Sequence, residues 1–410
     1  MAAITRREMM LRSAVLGCSA AASPLFTPVA LASVPGDNRL VVIILRGAMD
    51  GLDVVQPYGD PALAAARPGF GIGPAAGARD LDGFFALHPG LQDLWPLWQA
   101  GELGFAHAVS TPYRNARSHF DGQDLLEAGT PAGTAGRVHE NGWLNRFLQT
   151  LPGASRETAL AVGCQEALIL RGAAPSVSWS PAARLSLSPA TSDLLGLVYR
   201  EDPLFQPAYE DARFYSDLLY GAVAEAEDAG GMMANMAAMN RGVARAGSAS
   251  AIADFAAERL RADARIASFS LGGWDTHRGQ GRSIRRALGH LSTAILRLRA
   301  GLGPDWDRTT VLAMTEFGRT LRENGSGGTD HGTGSALVMA GGALNGGRVF
   351  GNWPGLEEAD LFDRRDLMPT RDVRAYAAWA MAGLFGTDPA TLESRIFPGL
   401  DLGSDPGLLR

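Results

Sequence analysis

The run Leu40 to Leu45 (LVVIIL) is apolar at every position and rich in β-branched residues. Unbroken apolarity over so short a stretch predicts a strand buried on both faces, as in a parallel sheet. Leu103 to Val109, Thr158 to Val162, Arg265 to Leu271, Thr309 to Met314 and Ala336 to Ala340 read as further strands. Between them, apolar residues at helical spacing predict helices near 89–100, 118–128, 141–151, 283–300 and 371–385. Strands that alternate with helices predict an α/β fold whose parallel sheet is covered on both faces. Residues 204–264 break the alternation; rich in Ala, Met, Glu and Arg, they predict a helical excursion on the main domain. Met232, Met233, Met236 and Met239 fall there at near-helical spacing, which suits core packing.

The N-terminus changes the picture of where the chain works. Arg6, Arg7 and Arg12 precede the small, apolar run Ser13 to Ala32, which ends in Ala30-Leu31-Ala32. A charged segment, an apolar segment and an A-x-A site make a cleavable export signal, and the paired arginines match the twin-arginine type. Pro24 and Pro28 cut the apolar run short of the roughly 20 residues a membrane span needs. The expected organisation is a signal over residues 1–32 and one α/β domain over 33–410. That route implies the twin-arginine translocase as a partner, a periplasmic or secreted product, and no membrane anchor after processing. Cys18 leaves with the signal, so Cys164 is the single mature cysteine and no internal disulfide forms.

Charge and composition remove several classes. The net charge is −6, without the basic footprint of a nucleic-acid binder. All 37 basic residues are arginine, so Schiff-base and Walker-lysine chemistry are excluded, while arginine remains able to grip oxyanions bidentately.

In open α/β sheets, ligands bind outside the carboxyl ends of the strands, so the polar residues after each strand are the candidates. Asp50 follows the first strand; it suits a hard cation, or a turn that bonds its own backbone. After Val109 come Arg114, Arg117 and then Ser118 to Asp121, an S-x-x-D stretch that predicts a helix cap. A helix N-terminus also attracts anions. A serine hydroxyl there, beside a metal and an arginine, could attack a phosphorus or sulfur centre. Asp275 and His277 lie two apart after Leu271, on one side of an extended backbone, and suit zinc or manganese. Glu316 and Arg319 follow Met314, and Asp330 and His331 precede the next strand. Acid and His recurring after successive strands point to a divalent metal site for zinc, manganese, magnesium or calcium. His88, His107, His139 and His290 read as structural, and Cys164 as a buried inert thiol.

Five stretches together resemble one family: Arg46–Leu52 (RGAMDGL), Arg117–Asp121 (RSHFD), Gly273–His277 (GWDTH), Thr315–Thr320 (TEFGRT) and Gly328–Gly332 (GTDHG). They are similar to the signatures of the exported domain of unknown function 1501 family, a distant relative of the alkaline phosphatase and sulfatase superfamily. The resemblance spans nearly the whole mature chain. It implies a three-layer α/β/α fold with a mostly parallel central sheet and metals at the strand ends. Asp50 then resembles the first ligand and Ser118 the nucleophile, with Asp275 and His277 one metal's pair and Glu316 and His331 completing the set. The chain departs from the superfamily pattern in the two-residue spacing of Asp275 and His277, and in Glu316-Phe317 where Asp-His is usual. It also lacks a Cys or Ser-x-Pro-x-Arg motif, which argues against formylglycine-based sulfatase chemistry. The expected function is metal-dependent hydrolysis of a small anionic phosphate or related ester, with Arg114, Arg117 or Arg319 on the non-reacting oxygens. The alternative is a non-catalytic periplasmic binding or assembly protein that retains the fold.

Overall fold

A computed structural model describes residues 36–114, 117–134, 139–162, 167–179, 198 and 246–410. The export signal, Cys164, the four methionines and residues 204–245 of the helical excursion lie outside those residues. Every predicted strand is present. They are β1 (Arg39–Leu45), β2 (Leu103–Ser110), β3 (Ala159–Val162), β5 (Ile266–Leu271), β6 (Thr309–Met314) and β9 (Ser335–Ala340). Short strands unseen in the pattern are β4 (Val177–Trp179), β10 (Val349–Phe350), β11 (Arg371–Asp372), and the hairpin β7 (Arg319–Glu323) with β8 (Thr329–His331). Two or three residues are too few to show a period of two, so only pairing reveals them.

The main sheet runs β10-β2-β9-β6-β1-β5-β3-β4, with β11 beside β2. Pairing is parallel except at β9, which runs antiparallel to both β2 and β6. Along β1 successive side chains enter opposite cores. Val41, Ile43 and Leu45 pack with α4 (Ala246–Arg261) and α5 (Gln280–Leu302). Leu40, Val42 and Ile44 pack with α3 (Trp143–Leu148) and α6 (Val373–Phe385). One core on each face makes three layers, and explains why β1 shows no alternation in sequence. Of the helical excursion, α4 is described, and it packs along α5.

This topology builds the site. The adjacent strands β6, β1 and β5 end together, Leu45 lying beside Leu271 and Ile44 beside Met314. Their following loops therefore leave one edge of the sheet. Strand β9 runs the other way, so its first residue, Ser335, lies at that same edge, paired with Val109 of β2. The short helix α1 (Pro61–Ala66) comes between β1 and β2, and the loop after β2 leads into α2 (His119–Ala128), which starts at the edge too. The loops approach closely. Gly47 has φ +119°, and a Cβ there would lie 2.6 Å from the Asp275 amide nitrogen. Only glycine permits both the backbone conformation and the approach.

Candidate functional site

Three histidines and an aspartate converge at this edge. Asp275 Oδ1 lies 3.2 Å from His277 Nε2, 3.4 Å from His331 Nε2 and 3.6 Å from His119 Nε2. His277 Nε2 and His331 Nε2 face each other at 2.9 Å. His119, Asp275 and His331 can each offer one ligand atom within 4.8 Å of the others.

The second nitrogen of each ring is held by an oxygen. His119 Nδ1 bonds Glu316 Oε1 at 2.9 Å, His277 Nδ1 bonds Asp330 Oδ1 at 3.2 Å, and His331 Nδ1 bonds the Arg117 carbonyl at 3.0 Å. A carbonyl only accepts, so His331 donates from Nδ1 and, when neutral, presents a lone pair at Nε2. The carboxylates behind His119 and His277 impose the same tautomer on those rings. When the rings are neutral, the Nε2 lone pair of each turns toward the one Asp275 oxygen.

Two carboxylates expected as ligands stand behind the histidines. Glu316 is fully buried, and its Oε1 accepts from the Gly47 amide, the Gln123 side chain and His119. Burial pushes the Glu316 carboxyl up, but the bonds from His119 and Gln123 outweigh this and leave it below its ordinary value. Asp330 sits behind His277 and also accepts from Asn324 Nδ2 at 3.0 Å. Asp275 is also shifted down: burial opposes its charge, while His119, His331 and Arg319 more than compensate. His119 is pushed up to about 9 by the Asp275 and Glu316 carboxylates. At 3.6 Å its Nε2 is too far from Asp275 to hydrogen-bond, so that contact is Coulombic, and among the described residues the buried nitrogen has no hydrogen-bond partner. A proton on His119 adds positive charge between the Asp275 and Glu316 carboxylates.

Arg319 and Asp50 take roles other than those expected of them. Arg319 is 1% exposed, and its guanidinium donates to the carbonyls of Ala48, Gly47, Trp274 and Thr329 and to Asp275 Oδ1 at 2.6 Å. It ties three loops together and aims Asp275, with no path to a substrate in solvent. Asp50 lies just after β1 as expected, but is 1% exposed and bound bidentately by Arg67 at 2.8 and 3.0 Å. Gln280 Nε2 donates to it at 2.6 Å. Its oxygens accept from protein donors, Thr329 Oγ1 at 3.5 Å among them.

Ser118 caps α2, as its spacing predicts, accepting the Asp121 amide at 3.4 Å. That bond is long, and the hydroxyl proton is not committed by it. Arg117 is exposed, and its φ of +54° turns its carbonyl toward His331. Arg114 is tied to the Thr111 and Tyr113 carbonyls. Phe317 stacks on the His119 ring at 5.3 Å. A small pocket beside these rings is lined by Tyr113, Arg114, Arg117, Phe317, Gly332, Thr333 and Asp366.

Over residues 98–378 the sequence matches the family model described as protein of unknown function (DUF1501). The chain belongs to that family. Four of the five stretches quoted above lie inside the DUF1501 match; the one bearing Asp50 precedes it. No curated protein matches this DUF1501 chain. Among solved structures it is similar to a protein in the alkaline phosphatase superfamily from Vibrio parahaemolyticus, at 11% identity and TM-score 0.36, covering 79% of this chain and 66% of that one. It is also similar to the C-terminal periplasmic domain of EcEptC from Escherichia coli, at 8% identity and TM-score 0.38, covering 91% and 92%. A third is a TAB5 alkaline phosphatase mutant with Mg bound, at 14% identity and TM-score 0.31, covering 76% and 92%.

Of the site residues expected from sequence, Asp275, His277, Asp330, His331, Glu316 and Arg319 come together in this DUF1501 chain, the last two and Asp330 as supports. His119 was missed as a ligand candidate. Its signal was available, since it sits inside the RSHFD stretch directly after the predicted cap. Arg67, Gln123 and Gln280 carry no local signal, because their partners come from elsewhere in the fold.

Proposed function

We propose that His119, Asp275, His277 and His331 hold a divalent metal ion, and that the chain is an exported, metal-dependent hydrolase of phosphate or related esters. The observation that carries the metal centre is the arrangement of the imidazoles. Each has its Nδ1 taken by an oxygen while its Nε2 turns toward Asp275 Oδ1. Metal-binding histidines are held this way, the rear acceptor fixing both tautomer and ring orientation. A tetrahedral ion with ligands at about 2.0–2.2 Å separates them by roughly 3.3–3.6 Å; Asp275 Oδ1 lies at 3.4 Å from His331 and 3.6 Å from His119, while the His277 contacts, 3.2 Å to Asp275 and 2.9 Å to His331, are tighter. Three nitrogens and one oxygen favour zinc or a similar transition ion over magnesium or calcium.

When bound, such an ion supplies Lewis-acid stabilisation of developing negative charge. The chain's own residues supply the rest. Glu316 and Asp330 orient His119 and His277, and Arg319 fixes Asp275. The exposed Arg117 binds non-reacting oxygens of the ester. Ser118, next to His119 at the start of α2, is the nucleophile, and the N-terminal amides of α2 favour an anionic group there. No helix among the described residues is long and apolar enough to cross a membrane. Export rests on the twin-arginine signal at Arg6 and Arg7.

Elemental analysis of purified protein, paired with hydrolysis of an aryl phosphate, tests the reading. About one transition-metal ion per chain is expected in the wild type. His119→Ala and His331→Ala should lose both metal and hydrolysis, and Asp50→Asn should keep the metal. A wild-type protein that takes up no divalent ion sinks the metal centre, while one that binds metal but cleaves no ester sinks only the hydrolase.

A further inference from the structure

Glu316 and Phe317 are neighbours in one loop, and they fix different freedoms of His119. Glu316 Oε1 takes the Nδ1 edge of the ring at 2.9 Å. A single hydrogen bond at that edge leaves the ring free to tilt. A tilted ring aims Nε2 elsewhere, because the nitrogen lone pair lies in the ring plane. Phe317 settles the plane. Its side chain is 2% exposed, and its ring lies nearly parallel to the imidazole, with 23° between the planes and 5.3 Å between centroids. Tyr113 continues the file behind it, at 19° and 5.9 Å from Phe317. Tyr113 is pinned in turn, since its phenol oxygen accepts the Ser118 amide at 2.9 Å.

Packing alone does not call for this arrangement. Ala48, Tyr113, Leu125 and Phe317 form a small core cluster of their own, separate from the two cores that flank the sheet. Two details concern the flat face of Phe317 rather than its bulk. The same ring also meets His331, at 5.2 Å between centroids and 55° between planes. The second detail is Gly122, which lies inside α2, three residues after His119, although glycine is a poor helix former. A Cβ at Gly122 would come within 3.0 Å of two Phe317 ring atoms and 3.3 Å of the Glu316 Cβ. The missing methyl lets the first turn of α2 close onto the loop that holds His119 by edge and by face.

We propose that Phe317, backed by Tyr113 and admitted by Gly122, is a positioning residue of the metal centre, its face setting the plane of His119 so that Nε2 meets the ion. This rests on the reading of His119 as a metal ligand. Aromatic pairs in offset-stacked geometry interact beyond the area they bury, so the plane is held and not merely covered. Groups that orient a ligand from behind change metal affinity by roughly 10–100-fold when they are altered. A ring that only packs would change stability and leave the metal's surroundings as they are.

The test is titration of chelator-treated protein with Co2+, read by the visible absorption of the bound ion, which reports its coordination geometry, and by thermal unfolding of the same samples before metal is added. Phe317→Leu keeps an apolar side chain and loses the flat face. It should bind Co2+ roughly ten-fold more weakly than wild type, with an altered spectrum. Tyr113→Phe keeps the stacked ring and should bind Co2+ as wild type does, with the same spectrum. Leu125→Ala opens a cavity in the same small cluster. It should lower the unfolding temperature and leave Co2+ affinity and spectrum unchanged, which separates positioning from packing. Gly122→Ala presses on the Phe317 ring from α2 and should alter the spectrum too, so it reads the same contact if Phe317→Leu does not fold. Unchanged Co2+ binding in Phe317→Leu, or in Gly122→Ala where the leucine variant does not fold, overturns the positioning role and leaves the metal centre standing. An equal loss of Co2+ binding in Leu125→Ala does the same. A wild type that takes up no Co2+ overturns both.

Discussion

Replacing Arg67 by methionine should destabilise the fold severely while leaving the metal centre's ligands untouched. Arg67 and Asp50 form a buried ion pair, with side-chain exposures of 0% and 1%. Arg67 also donates to the carbonyls of Leu321 at 2.8 Å and Thr320 at 2.8 Å. Methionine fills much of the volume, so the cavity term is small. It leaves the Asp50 carboxylate with Gln280 as its close remaining donor and deprives two carbonyls of theirs. Breaking a buried pair from one side costs about 3–5 kcal/mol. Each carbonyl left without a donor adds about 1 kcal/mol or more. These terms overlap, so we expect a loss of about 4–6 kcal/mol, a large part of a domain's usual stability. Urea unfolding followed by tryptophan fluorescence measures it. The Arg67→Met/Asp50→Asn double variant should recover more than half, because the stranded charge is then gone. A single variant that loses less than about 1 kcal/mol, or a double variant no better than the single, would show that Asp50 is not held as a structural anion. Asp50 would then return as a candidate ligand.

The other predictions are smaller in scope. His107 is fully buried, donating from Nε2 to the Val55 carbonyl and accepting the Ala108 amide at Nδ1; burial pushes it down to about 4. Its folded value lies below the ordinary 6.5, so its contribution is complete above pH 6.5 and is lost as pH falls toward 4, by about 3 kcal/mol in all. Stability measured across that window should lose this slope in His107→Gln, and an unchanged slope would refute the argument. Ser118→Ala should cost at most about 1 kcal/mol, since the cap bond it removes is long. It should abolish ester hydrolysis, and full turnover by that variant would end the nucleophile role. Replacing Arg6 and Arg7 by lysine should leave precursor in the cytoplasm on fractionation, and normal export would remove the twin-arginine assignment.

What the sequence determined by itself is local. Leu40 to Leu45 announces a strand because its apolarity is a property of six adjacent residues, and Ser118 announces a cap because its partner Asp121 is three positions away. Placing Asp275, His277, Glu316 and His331 after or before strands needed no more than that, and those placements hold. The division of labour among them was decided by tertiary structure. Nothing local tells Glu316 to stand behind His119, 197 positions away, rather than beside it. That follows from strand order, with β6 next to β1 and the start of α2 meeting the same edge. The reversed β9 is also invisible in its own pattern, yet it brings His331 to the cluster. Asp50 shows the limit most clearly. A carboxylate after the first strand reads equally as ligand or turn, and its role is settled by Arg67, a residue at the end of a short helix with no motif around it. A hydrophobic period repeats along the chain and can be read there. A charge takes its meaning from the neighbours that folding brings to it, and those neighbours are far away in sequence.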